Sequence, residues 1–95
     1  MSVVILGGND CMVRRYKDIC KQYKCRAKVF THMKTDLRKQ IGSPDLLVMF
    51  TGTMSHKMAR CAVNEIKGLP ICIERSHSGS ASALISILES HINNR

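Results

Sequence analysis

The sequence predicts an α/β fold: a single small Rossmann-like domain over residues 1–95, three-layered, with a four-stranded parallel sheet of order 2-1-3-4 and helices on both faces. Three observations carry this. Four short apolar runs, around "VVIL", "KVF", "LLVMF" and "ICIE", recur along the chain, with helically spaced apolar residues between and after them. The third run has no polar alternate, as a parallel strand covered on both faces requires. Right-handed crossovers through short connections then leave few topologies, and 2-1-3-4 is the compact one.

Each element has a local reason. Val3–Leu6 is β-branched and ends at Gly7-Gly8, which marks a strand running into a turn. Asp10 suits a helix N-cap, and Met12, Val13, Tyr16, Ile19, Cys20 and Tyr23 follow on one helical face. The other face carries Arg14, Arg15, Lys17, Asp18 and Lys21. A second strand is expected over Arg26–Thr31. A short helix follows around Thr35–Ile41, stopped by Gly42-Ser43-Pro44. Asp45–Phe50 is the third strand. Ser55 caps a helix with Met58, Ala59, Ala62, Val63 and Ile66 on its apolar stripe, closed by Gly68 and Pro70. Ile71–Glu74 forms the fourth strand, and Ser80 opens a last helix with Leu84, Ile85, Leu88 and Ile92 turned inward.

Composition narrows the function classes. The hydrophobic fraction of 44% is that of a globular chain. No apolar run approaches the roughly 20 residues needed to span a bilayer, and the N-terminus lacks the basic and apolar regions of a signal peptide. A cytoplasmic location is expected. The five cysteines (Cys11, Cys20, Cys25, Cys61 and Cys72) are odd in number and form no CxxC pair. That pattern favours mostly buried thiols over disulfides or a zinc site. The net charge of +8 favours an anionic partner. Nucleic acid is weakly supported, because Tyr16, Tyr23, Phe30 and Phe50 make no base-stacking platform.

In a sheet of this kind ligands bind outside the carboxyl ends of the strands. The loops there read "GGNDC", "THMKTD", "TGTMSHK" and "RSHSGSAS", and His32, His56 and His77 fall in three of them. His91 lies elsewhere, expected as a solvated residue near a helix end. Taken singly each histidine has a plain structural reading: a residue beside a cap, a turn residue, an exposed strand end. Together they define a candidate site, with Gly7, Gly8, Met33, Met54, Ser55, Ser78 and Ser80 around them. The Ser/Gly-rich fourth loop also suits an anion at a helix start. Other chemistries find less support. Gly7-Gly8 lacks GxGxxG spacing, there is no P-loop, and "GTMSH" is not a GxSxG elbow. Cys11 stands where some phosphotransfer enzymes carry a nucleophile, but acidic Asp10 beside it opposes a thiolate.

The segments "VVILGGND", "PDLLVMFTGTMSHKMARCA" and "GLPICIERSHSGSASAL" resemble the bacterial domain of unknown function 2325 family, with Ser55-His56 the most telling pair. The likeness spans nearly the whole chain. It departs at the second loop, where the family often has a histidine followed by glycines and this chain reads "THMKTD". The resemblance implies no assigned reaction. It implies a cofactor-holding module, with haem the ligand associated with some members. His56 or His32 would then ligate haem iron or a metal, methionines would wall the pocket, and Lys and Arg would meet the propionates.

The expectation is therefore a ligand-binding domain for haem or a metal ion, more binding module than enzyme. An anion- or nucleotide-binding regulatory domain is the alternative, and an enzyme using Cys11 a third class. Two open sheet edges further predict a homodimer or higher homo-oligomer.

Overall fold

Alternating side chains of an extended backbone point to opposite faces, so a strand of unbroken apolar residues needs cover on both. The computed structural model, which describes residues 1–31, 41–42 and 44–93, supplies that cover. The strands are β1 (Ser2–Gly7), β2 (Arg26–Phe30), β3 (Leu46–Phe50) and β4 (Cys72–Ser76). They form one parallel sheet in the order β2-β1-β3-β4, as the sequence predicts. Helices α1 (Val13–Gln22), α2 (His56–Ile66) and α3 (Ala81–Asn93) follow β1, β3 and β4 respectively. Of the helix expected around Thr35–Ile41, all but Ile41 lies outside the described residues.

Two cores sit back to back across the sheet. On the first face Val3, Ile5, Leu46, Val48 and Phe50 pack under α1 and α3, through Tyr16, Ile19, Cys20, Leu84 and Leu88. On the second face Val4, Leu6, Leu47 and Met49 pack under α2, through Met58, Ala62 and Ile66, joined by Ile41. Every residue of β3 is at most 1% exposed, which explains its lack of any polar alternate. Among the described residues no helix is long and apolar enough to cross a membrane.

Several local expectations are corrected. Asp10 does not cap α1. The chain enters through a 3₁₀ turn over Asp10–Met12, and α1 starts with Met12 at its N-cap without a side-chain bond. The fourth strand runs Cys72–Ser76, starting one residue later and ending two later than expected. Ile92 is not inward: it is 37% exposed in the last turn of α3. The thiols are not mostly buried either. Cys20 and Cys25 are buried and Cys61 is half-buried, whereas Cys11 sits in an exposed turn and Cys72 on an edge strand.

Candidate functional site

The carboxyl ends of the strands meet in loops that are tied to one another. Gly7 and Gly8 have φ of +90° and +82°, in the left-handed region where a side chain is strained. A Cβ on Gly8 would lie 2.6 Å from the Tyr16 hydroxyl oxygen, and one on Gly7 would lie 2.7 Å from the Phe50 carbonyl oxygen. The glycine pair therefore lets two neighbouring chains approach closely. The Gly8 N–H donates to Thr53 Oγ1 at 2.6 Å, and the Thr53 hydroxyl in turn donates to the Phe50 carbonyl at 3.2 Å. These bonds tie the first loop to the third.

Tyr16 ties the first face to the fourth loop. Its ring packs 5.3 Å from that of Phe50, and its hydroxyl donates to the Gly79 carbonyl at 2.5 Å. Burial holds this hydroxyl above its ordinary pKa, outweighing the hydrogen bond from the Asn9 backbone, so it stays a proton donor. The Gly52 N–H donates to the His77 carbonyl at 3.1 Å, which joins the third and fourth loops. The Thr31 hydroxyl meets Asp10 Oδ1 across the first and second.

The serines of the fourth loop mainly serve their own backbone. Ser76 Oγ donates to the Ser78 carbonyl, Ser78 Oγ accepts from the Ser80 N–H, and Ser80 Oγ accepts from the Ala83 N–H at 3.2 Å. Ser80 thus caps α3, as expected, and occupies one of the donors an anion at that helix start would use.

The histidines are placed differently from one another. Ser55 accepts from the Met58 N–H at 3.1 Å and caps α2, which leaves His56 exposed at the first helical position. His56, Lys57 and Arg60 line a surface hollow. His77 is exposed in the fourth loop, and its ring lies so close to Gly52 that a Cβ there would be 3.1 Å from its Cε1. His32 and Met33 lie outside the described residues. Met54 is half-buried against the second core, behind Gly7. His91 is not a free solvated residue: its Nε2 lies 2.9 Å from Glu74 Oε1, joining α3 to β4. Among the described residues, no three His, Cys, Asp or Glu side chains come together as a metal ion would need.

Two features were missed in the residue pattern. One is the Tyr16 hydroxyl, because a tyrosine on an apolar helical stripe does not reveal where its oxygen goes. The other is a groove of about 300 Å³ between α2 and β4, bordered by Arg60 and Arg75. Its signal was present but faint: Arg60 is one turn from His56, and Arg75 alternates with Glu74 on β4.

A bacterial family described as uncharacterised proteins conserved in bacteria (DUF2325) matches residues 2–91. No match is found among curated proteins or among solved structures. The matched stretch runs from the start of β1 to the last turns of α3, so it takes in the whole sheet and every loop at the strand ends. The chain belongs to this domain of unknown function 2325 family.

Proposed function

We propose that the domain is a cytoplasmic bacterial ligand-binding module rather than an enzyme, holding haem through histidine at the carboxyl ends of its strands for sensing, storage or redox handling. The observation that carries this reading is His56. With Ser55 doing the capping, its imidazole is exposed and makes no hydrogen bond among the described residues, with Lys57 beside it and Arg60 one turn on. Haem asks a protein for an axial nitrogen and for positive charge near its propionates, and these residues fit that need. A metal ion held through His56 and His32 belongs to the same reading. His77 belongs to the same reading as a donor from the fourth loop, and His32 and Met33, outside the described residues, are assigned to it from the sequence.

Hemin titration of the purified protein tests this. The wild type should shift the Soret band, and His56→Ala or His32→Ala should abolish the shift. No shift in the wild type, or an equal one in His56→Ala, His32→Ala and His77→Ala, ends the reading. The proposal extends to a homodimer, since among the described residues no strand neighbours β4 on its outer edge, and Ile73 on it is 38% exposed. A monomer in size-exclusion chromatography both with and without hemin would remove that extension.

A further inference from the structure

The groove between α2 and β4 brings together two arginines for which the described residues provide no acid. With 3.6 residues per turn, His56, Ala59, Arg60, Val63 and Asn64 fall along one side of α2. On β4 the side chains alternate, so Arg75 turns to the α2 face beside Met49, while Glu74 turns to the other face and pairs with His91. Adjacent in sequence, Glu74 and Arg75 are therefore separated by the sheet itself. Among the described residues neither Arg60 nor Arg75 has a carboxylate partner.

The rest of the groove is of a different kind. Met49, Ala59 and Val63 provide apolar wall, and Thr51 and Asn64 add a hydroxyl and an amide. Its volume, about 300 Å³, is at the lower end of small-molecule sites. A guanidinium fork matches the two oxygens of a carboxylate or phosphate, and two such forks beside an apolar wall select a ligand with both an acidic group and an apolar body. We propose that the α2–β4 groove is a binding site for a small organic anion, its phosphate or carboxylate held by Arg60 and Arg75 and its apolar part laid on Met49, Ala59 and Val63. The site adjoins the His56 hollow through Arg60 but needs neither iron nor a histidine ligand.

Titration with 8-anilinonaphthalene-1-sulfonate, an aromatic body carrying one anionic group, tests this by fluorescence without any metal. The wild type should show saturable one-site enhancement. Arg60→Gln and Arg75→Gln should each weaken it about tenfold, as expected for loss of one charge-assisted contact. Two controls separate the groove from other causes. The double variant Lys17→Gln/Lys21→Gln removes two positive charges, one more than either arginine variant, from the exposed side of α1, across the sheet, and should bind as the wild type does. The second control is the absence of iron and haem from the titration, so the haem reading can fail while this one stands. Displacement by adenosine monophosphate would identify a phosphate-bearing ligand, and displacement by octanoate a carboxylate-bearing one. The proposal falls if the arginine variants bind like the wild type, if the lysine control weakens binding equally, or if neither competitor displaces the probe.

Discussion

The two faces of the sheet treat their polar groups in opposite ways. On the first, the Tyr16 hydroxyl finds the Gly79 carbonyl, beside loops closed by the separate Gly8–Thr53 bond. On the second, Arg60 and Arg75 border an open groove with no acidic partner among the described residues. Polar groups that find partners within the chain hold the architecture together. Charges left without one are available to something outside it. The difference assigns the Gly-Gly turn and most of the fourth-loop serines to structure, and directs attention to the α2 flank for binding.

The comparison can be broken by stability measurements. The largest expected effect is Gly8→Ala, which forces a side chain into φ +82° and against the Tyr16 hydroxyl. A loss of about 3 kcal/mol in urea unfolding is expected from strain and overpacking together. A loss within experimental error would mean that the closed loops are not holding the fold.

A second test uses pH and the first-face core. Burial, with the Cys25 thiol adding to it, pushes the Cys20 thiol up to about 11 from an ordinary 9.0. The unfolded chain ionises this thiol first, so between those values the folded state holds more protons. The contribution to stability is complete below pH 9.0 and is lost as pH rises through about 11. Denaturation midpoints should fall over that window, and Cys20→Ala should fall less steeply than the wild type. Equal slopes would show that Cys20 does not titrate as its burial demands.

The smallest expected effect falls on the groove. Arg60→Gln/Arg75→Gln should change stability by less than about 0.5 kcal/mol, since exposed charges without partners contribute little to folding. A loss comparable to that of Gly8→Ala would make the arginines structural and erase the contrast between the two faces.

Much of the fold was legible because burial on two faces leaves a mark in every residue. The unbroken "LLVMF" marked β3 as a central strand, and Ser55 and Ser80 marked the starts of α2 and α3. Where the signal was a single polar residue it misled. Asp10 resembled a cap, but the turn at Asp10–Met12 places it outside that role. His91 resembled a solvated side chain, but in the folded chain it meets Glu74 of β4. The site was only partly readable. His56 at a helix start followed from the serine before it, whereas the pairing of Arg60 with Arg75 depends on two elements that share no local pattern.

Sequence alone determined the α/β class, the strand order and the caps of two helices, because hydrophobic period and hydrogen-bond chemistry act over a few neighbouring residues. Tertiary structure alone decided which polar groups found partners. Tyr16 reaches Gly79 and His91 reaches Glu74 across long stretches of chain, while Glu74 and Arg75, adjacent in sequence, are divided by the sheet. The physical reason is alternation: each step along a strand changes face, so neighbours in sequence can belong to opposite sides of the molecule.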